Sequence, residues 1–229
     1  MKTITELCNE LKLDKGTIIP NDGQMHGPRL HFSKIYDQYF YNKNDVLKIV
    51  EIGVENGNSL KMWETYFPNA KIYGIDINDK SQYNTERIKT FKANQGNRNE
   101  LKGVFESIGS DIDIIIDDGS HVIKHQLITM GISFRYLKKH GMLFIEDLHT
   151  SDHSVWNNKK LYGNDMSFNI GESTVDVLKN YIENGKIETK DIIKDDIDYL
   201  NNNISEIKIF ELPKTFYGEN LLALIRKKI

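Results

Sequence analysis

Cysteine is nearly absent from this sequence of 229 residues, which contains Cys8 alone. A single thiol excludes an intrachain disulfide bond and a metal cluster held by several thiolates. Long apolar runs are missing as well, since no stretch approaches the roughly 20 residues that a membrane-spanning helix needs. The first residues also lack the apolar segment of a signal peptide. We therefore expect a cytoplasmic protein without a membrane partner.

Charge of one sign is not in excess either. The 30 lysine and arginine residues stand against 33 aspartate and glutamate residues, which gives a formal net charge of -3. Such a chain has no general attraction to nucleic acid, and we expect no nucleic-acid partner.

Strand and helix patterns alternate along the chain from Val46 onward. Apolar segments predict strands over 49–53, 71–76, 88–93, 112–116 and 141–146. Helices are predicted over 59–66, 97–107 and 121–137. Continuous apolar strands that alternate with helices are typical of a parallel sheet covered on both faces. The last two apolar segments, 206–212 and 221–225, have no helix between them and should form an antiparallel hairpin.

The pattern thus predicts an α/β fold, a doubly wound, Rossmann-like and mostly parallel seven-stranded sheet with an antiparallel C-terminal hairpin. One domain accounts for the length. Residues 1–45 are predicted to be N-terminal helices with a long loop over 14–29, packed on the core as a lid. Residues 46–229 form the sheet domain.

A glycine turn follows the first predicted strand. Gly53 and Gly57 let a ligand approach the backbone, and the helix start behind them favours hydroxyls or a carboxylate. Asp76 ends the next strand, where it can accept hydrogen bonds from both hydroxyls of a ribose. The glycine spacing is not that of a dinucleotide site, which disfavours a nicotinamide dehydrogenase. These features indicate an adenosine cofactor without a pyrophosphate, such as S-adenosylmethionine; the alternative is a plain tight turn beside a solvated aspartate.

Paired acids end two further buried strands, Asp117 with Asp118 and Glu146 with Asp147. The carboxyl ends of parallel strands meet at one edge of a sheet. Neighbouring residues point to opposite faces, so Asp117 and Asp118 should serve different sides, one the cofactor and one the substrate. An all-oxygen cluster without cysteine favours Mg²⁺, or Mn²⁺ or Ca²⁺, over zinc. The alternative is that each acid caps a helix or pairs with a lysine.

His121 follows the acids at the predicted start of a helix. An imidazole there stays neutral, and beside a cation it can take a proton from a hydroxyl, so it is a candidate general base. His125 lies one turn later, and the pair could instead hold zinc, but the glutamate of an H-E-x-x-H motif is absent. His149 and His153 could reach the same pocket.

Several motifs together resemble the metal-dependent sugar O-methyltransferases of macrolide biosynthesis, the group of the mycinamicin and macrocin O-methyltransferases. The specific ones are Asp-Asp-Gly-Ser-His at 117–121 and Glu-Asp-Leu-His-Thr-Ser at 146–151. Weaker matches lie at 14–16, 31–36, 51–63 and 66–70. The resemblance runs from about Asp14 to Ser151 and fades beyond it.

This resemblance implies a class I S-adenosylmethionine-dependent methyltransferase fold. It implies Mg²⁺ held by Asp118, Glu146 and Asp147, and His121 as the base that deprotonates a sugar hydroxyl beside Asp118. Asp117 then belongs to the cofactor side. We assign to the cofactor site the turn residues and the later side chains that match, namely Glu51, Gly53, Gly57, Ser59, Asp76 and Gln95.

The predicted function is transfer of a methyl group from S-adenosylmethionine to the hydroxyl of a sugar, in a glycoconjugate, a capsule-type glycan or a nucleotide-activated sugar. One alternative is a methyltransferase of the same fold with a non-sugar acceptor, such as a phosphate-like or polyketide hydroxyl. Another is a non-catalytic binding protein that keeps the fold. Acceptor specificity is expected within 152–200. The oligomeric state is open, with a symmetric homo-oligomer as the usual default.

Overall fold

The structure, a computed structural model, describes residues 2–19, 30–42, 44–151, 172–215 and 218–229. The helices of this part are α1 (Ile4–Glu10), α2 (Phe32–Tyr39), α3 (Asn58–Tyr66), α4 (Arg98–Ile108), α5 (Ile123–Ser133), α6 (Thr174–Asn184) and α7 (Lys194–Asn203). Single 3₁₀ turns cover Ser81–Tyr83, Phe134–Tyr136 and Leu148–Ser151. Among the described residues, none of the helices has the length and apolar content that crossing a bilayer requires.

The strands form one sheet in the order β3-β2-β1-β4-β5-β7-β6. They are β1 (Lys48–Ile52), β2 (Lys71–Asp76), β3 (Ile88–Lys92), β4 (Ile112–Asp117), β5 (Leu137–Ile145), β6 (Ile204–Thr215) and β7 (Gly218–Lys227). The first five pair in parallel, whereas β7 runs antiparallel to β5 and β6. The predicted seven-stranded sheet with an antiparallel C-terminal hairpin is confirmed. Its strand order reverses between β1 and β4, where open sheets of this kind bind ligands.

Two predicted boundaries in the middle of the chain are wrong. The helix predicted to start at His121 begins at Ile123, because His121 has a left-handed backbone with φ of 56°. Strand β5 begins at Leu137 rather than Gly141, and Leu137 pairs with Ile112 of β4. The polar residues 138–140 interrupt the apolar pattern, so the first half of this strand resembles the end of a helix.

Apolar cores cover both faces of the sheet, as the continuous apolar strands predict. Ile115 of β4 packs into the core that contains Phe105 of α4 and Leu127 of α5. Its neighbours Ile114 and Ile116 pack into the opposite core. That second core takes side chains from the N-terminal helices α1 and α2 and from α3, including Leu7, Phe32, Tyr36 and Trp63.

The described N-terminal helices are therefore joined to the sheet domain by packing. Thr3 caps α1, since its side chain accepts a hydrogen bond from the backbone of Glu6 and the Glu6 side chain accepts one from Thr3 N. A boundary at residue 45 stays a prediction. Most of the loop expected as a lid, residues 20–29, lies outside the described residues.

Replacing Phe40 by alanine should lower the free energy of unfolding by about 3–5 kcal/mol, because it empties the centre of an aromatic cluster. Phe40 is 2% exposed and stacks on Tyr36 with ring centroids 5.2 Å apart. It also meets Trp63 at 6.0 Å and Phe144 at 5.4 Å. Urea unfolding measures the change.

The neighbouring Tyr41 provides the matched control. Its side chain is 74% exposed, so Tyr41→Ala should change the free energy of unfolding by no more than about 0.5 kcal/mol. Equal losses in the two variants would show that this aromatic cluster does not stabilise the fold.

Candidate active site

Backbone pairing places the ends of three strands side by side. Ile52, Asp117 and Ile145 form one row across β1, β4 and β5. The pattern continues beyond them, since Asp118 N donates to Ile52 O at 2.9 Å and Glu146 N donates to Asp117 O at 2.9 Å. The acidic residues expected at the carboxyl edge of the sheet do meet there.

The glycine turn after β1 fits closely against the end of β4. Gly53 has φ of 91°, and a Cβ atom on it would lie 1.9 Å from the carbonyl oxygen of Asp118, so the position requires glycine. Asp76 fastens the same turn to the end of β2. Its Oδ2 accepts hydrogen bonds from Val54 N at 3.1 Å and Glu55 N at 3.3 Å. Asp76 thus shapes the turn in addition to facing the cavity beside it.

That cavity has a volume of about 200 Å³ and lies directly outside the edge of the sheet. Its walls combine apolar side chains with carboxylate, amide and imidazole groups, which suits a purine ring joined to a ribose. Gly53, Asp76 and Gln95 line it as expected. The other lining residues are Ile52, Ile75, Ile77, Ala93, Asn94, Gly119, Ser120 and His125. The residues present therefore fit an adenosine-containing cofactor.

Asp117 lies behind this cavity, on the side away from Asp118. Its Oδ1 accepts hydrogen bonds from Gln95 Nε2 at 2.7 Å and from Gly119 N at 3.2 Å. Gln95 Oε1 in turn accepts one from Ser120 N at 2.9 Å. Burial raises the pKa of Asp117 to about 6. The bonded chain holds the loop after β3 against the turn after β4, which keeps the cavity open between them.

Glu51, Gly57 and Ser59 are outside the set of residues that line the cavity. Glu51 is fully buried, and its Oε2 accepts a hydrogen bond from Ser59 Oγ at 2.6 Å. Burial raises the pKa of Glu51 to about 7, although the nearby ammonium group of Lys15 acts against this shift. Gly57 lies beneath the ring of Tyr83, because a Cβ atom there would come within 2.6 Å of it.

On the other side of the edge, Asp118, His121 and Asp147 converge. One potential ligand atom from each lies within 4.8 Å of the others. His121 Nε2 is 3.6 Å from Asp147 Oδ2, and His149 Nδ1 is 3.7 Å from Asp147 Oδ1. Burial raises the pKa of Asp147 to about 6, with His121 acting against it. Burial also lowers the pKa of His149 to about 4, so this imidazole is neutral at ordinary pH.

Two carboxylates with an imidazole beside them fit a hard divalent cation. Oxygen ligands are the preference of Mg²⁺ and Mn²⁺. A paired-histidine zinc site is not formed, since His125 turns to Ser120, with Nδ1 2.7 Å from the hydroxyl oxygen, while His121 faces Asp147. His153 lies outside the described residues.

Glu146 stands apart from this group. Both of its carboxylate oxygens have partners, because Oε1 accepts a hydrogen bond from Tyr36 OH at 2.5 Å and Oε2 accepts one from Lys15 Nζ at 2.6 Å. Lys15 also forms an ion pair with Asp118. Burial raises the pKa of Glu146 well above its ordinary value, and the charge of Asp118 adds to this effect.

Sequence reasoning missed Lys15 and Tyr36 as members of the site. Lys15 belongs to a segment that predicts a loop, and Tyr36 belongs to an amphipathic helix whose aromatic residues predict only core packing. The one available signal was that both residues lie in the N-terminal stretches that share in the resemblance.

No family model matches the chain. An 8-demethyl-8-alpha-L-rhamnosyl tetracenomycin-C 2'-O-methyltransferase of Streptomyces olivaceus is 38% identical over 128 residues, which are 52% of this chain and 34% of that protein. Mycinamicin VI 2''-O-methyltransferase of Micromonospora griseorubida is 35% identical over 52% of this chain and 32% of its own length. Demethylmacrocin O-methyltransferase of Streptomyces fradiae is 32% identical over 65% of this chain and 40% of its own length.

The chain is a homologue of sugar O-methyltransferases. The chain also shares its fold with the solved structure of the MycE methyltransferase in complex with Mg, SAH and mycinamycin VI, with a TM-score of 0.71 and 25% identity. The match covers 99% of this chain and 55% of that chain. The predicted class I methyltransferase fold is thereby confirmed. The chain aligns with only about a third to two fifths of the length of the curated relatives named above.

Glu51→Gln should gain stability relative to the wild type as the pH rises through neutrality. The folded chain keeps a proton on Glu51 up to about pH 7, whereas the unfolded chain releases it near 4.5. The free-energy contribution of Glu51 to folding therefore falls as the pH rises through this window. Between about pH 5 and about pH 8, the difference in the free energy of unfolding between the variant and the wild type should shift in favour of the variant by on the order of 2 kcal/mol.

Urea unfolding across this pH range measures the difference. Glu55→Gln is the matched control, because Glu55 is exposed on the adjoining turn. For Glu55→Gln, the free energy of unfolding plotted against pH should run parallel to that of the wild type. If the curve of Glu51→Gln also ran parallel, the buried carboxyl group of Glu51 would carry no such penalty.

Proposed function

We propose that this chain is the catalytic, S-adenosylmethionine-binding part of an Mg²⁺-dependent O-methyltransferase that acts on the hydroxyl of a sugar. The observation that carries the proposal is the convergence of Asp118, His121 and Asp147 at the carboxyl edge of the sheet, next to the cavity that Gly53, Asp76 and Gln95 line. A methyl donor in the cavity and a metal-bound hydroxyl at the acids would then face each other across the ends of β1 and β4.

The proposed acceptor is a small glycosylated molecule. The names of the relatives give a rhamnosyl tetracenomycin, mycinamicin VI and demethylmacrocin as the molecules that are methylated, which supports a sugar within a natural product. A nucleotide-activated sugar or a capsule-type glycan carries the same hydroxyl chemistry and belongs to the proposal. Residues 152–171 of the segment expected to select the acceptor lie outside the described residues.

In this proposal the cofactor supplies an electrophilic methyl group, and Mg²⁺ lowers the pKa of the acceptor hydroxyl. The side chain of Asp76 would accept hydrogen bonds from the ribose hydroxyls, and Gln95, held by Asp117 at the cavity wall, would lie beside the adenine ring. Glu51 and Ser59 lie under the turn that carries Gly53 and stiffen it. Asp118 and Asp147, with Glu146 behind them, would hold the metal.

His121 acts as the general base. Its Nε2 faces Asp147 Oδ2 at 3.6 Å, and its carbonyl oxygen accepts a hydrogen bond from Thr150 Oγ1 at 3.1 Å. These contacts hold the ring at the acid edge, with its side chain about a third exposed. The imidazole would take the hydroxyl proton as the oxygen bonds to the methyl group and the bond between methyl and sulfur breaks, which leaves S-adenosylhomocysteine. It would release the proton to solvent afterwards.

Two other functions carry less support. A methyltransferase with a non-sugar acceptor could have the same cofactor cavity, but the name of the tetracenomycin relative specifies a rhamnosyl group. A non-catalytic binding protein of this fold has no need for a general base beside two acids, yet His121, Asp118 and Asp147 all stand in place.

His121→Ala should lower the rate of methyl transfer by about 10²- to 10⁴-fold, the range typical of a lost general base. Mass spectrometry would follow the methyl mass gain on a pool of glycosylated natural products and nucleotide-activated sugars with S-adenosylmethionine. The same assay with EDTA should show no gain until Mg²⁺ is restored. Binding of S-adenosylhomocysteine to His121→Ala should match that of the wild type, because His121 does not line the cavity.

His140→Asn is the control. His140 is exposed at φ of 61°, a backbone region that asparagine tolerates, so this variant should keep full activity. Full activity of His121→Ala, or of the wild type in excess EDTA, would refute the base or the metal respectively. If no acceptor in the pool gained a methyl group while the cofactor bound, the non-catalytic alternative would be preferred.

A further inference from the structure

Lys15 is a buried cation beside the proposed metal site. Its side chain is 2% exposed. The ammonium group forms an ion pair with Asp118, lies 2.6 Å from Glu146 Oε2 and is 4.0 Å from Glu51 Oε1. It therefore contacts residues on the metal side and also reaches toward the carboxylate beneath the cofactor turn.

The backbone around Lys15 is held rigidly, so this contact is built into the fold. Ser33 N donates to Lys15 O at 3.0 Å, and Asp14 Oδ1 accepts from Lys15 N at 2.8 Å. Leu30 N donates to Asp14 O at 2.8 Å. Gly16 packs on α1, since a Cβ atom there would come within 2.6 Å of the Asn9 side chain. Residues 14–16 are thus held in place between α1 and α2 by hydrogen bonds and close packing.

We propose that Lys15 is a positioning residue of the divalent-metal site, an internal counter-cation that orients Asp118 and Glu146 and weakens the binding of the metal through its own charge. The inference rests on the proposed function, because it assumes that a divalent cation binds at this edge. It goes beyond that function by assigning a role to a residue outside the acids and the base.

The physical argument is electrostatic. Buried carboxylates that lie close together repel one another and need a compensating positive charge. Lys15 supplies that charge to Asp118 and Glu146 when no metal is bound. A divalent cation that binds beside the same acids is attracted by them and repelled by the ammonium group at short range, where the low effective dielectric makes both terms large. Removal of the lysine charge leaves the attraction and abolishes the repulsion.

Lys15→Met should therefore bind Mn²⁺ at least about tenfold more tightly than the wild type. Even a partly screened repulsion between two positive charges a few ångströms apart exceeds the free energy that corresponds to a tenfold change in the dissociation constant. Electron paramagnetic resonance of free Mn²⁺ in titrations of the purified protein measures the dissociation constant without any acceptor or turnover. The variant should also melt at a lower temperature in EDTA, and Mn²⁺ should raise its melting temperature more than it raises that of the wild type.

Lys138→Met is the matched control. Lys138 forms an ion pair with the buried carboxylate of Asp113 at the opposite end of the sheet. The control variant loses one lysine charge and one ion pair, yet its Mn²⁺ dissociation constant should equal that of the wild type. Lys15→Gln, which keeps a hydrogen-bond donor but no charge, should bind Mn²⁺ more tightly too, and it serves if Lys15→Met does not fold.

The outcomes separate this inference from the proposed function. Wild-type protein that binds Mn²⁺, with Lys15→Met and Lys15→Gln binding it equally or more weakly, would overturn the role of Lys15 and leave the metal site intact. Absence of Mn²⁺ binding in the wild type and in both Lys15 variants would overturn the metal site and the inference with it. Tighter Mn²⁺ binding in the Lys15 variants, with unchanged binding in Lys138→Met, supports both the metal site and the role of Lys15.

Discussion

The buried charges at the carboxyl edge of the sheet constrain most of this structure. Asp118 and Glu146 meet because they follow β4 and β5, two adjacent parallel strands that end side by side. Desolvated carboxylates close to each other are costly unless a positive charge lies between them. Lys15 supplies that charge, and Tyr36 satisfies the remaining oxygen of Glu146. The N-terminal helices must therefore pack where they do, because otherwise the edge of the sheet would carry uncompensated buried charge.

This requirement gives the N-terminal segment two functions in one packing arrangement. Tyr36 of α2 packs edge to face against Trp63 and Phe144 and so helps to cover one face of the sheet. The same ring of Tyr36 carries the hydroxyl group that bonds to Glu146. Apolar burial thus supplies the free energy that places a polar atom within the site, and a loss of packing in this cluster displaces a hydrogen-bond donor at the metal side.

The sequence was sufficient for the parts of the site that one strand and the following turn determine. Gly53, Asp76 and the acids after β4 and β5 were predictable because continuous apolar strands imply a parallel sheet, and a parallel sheet brings its strand ends to one edge. Lys15 and the hydroxyl of Tyr36 were not predictable in this way, since their contacts depend on how helices far away in sequence dock on the sheet. The predicted start of α5 was wrong for a local reason, because the pattern of apolar residues does not reveal the left-handed backbone at His121.

The position of Lys15 also relates the two halves of the site to each other. Asp117 and the cavity lie on one side of the edge, and Asp147 and His121 lie on the other. Lys15 contacts Asp118 and Glu146 directly and lies 4.0 Å from the buried carboxyl group of Glu51, beneath the turn that borders the cavity. If both proposed sites are occupied in the enzyme, the charge of Lys15 acts on both, and any effect of one occupant on the binding of the other is necessarily reciprocal.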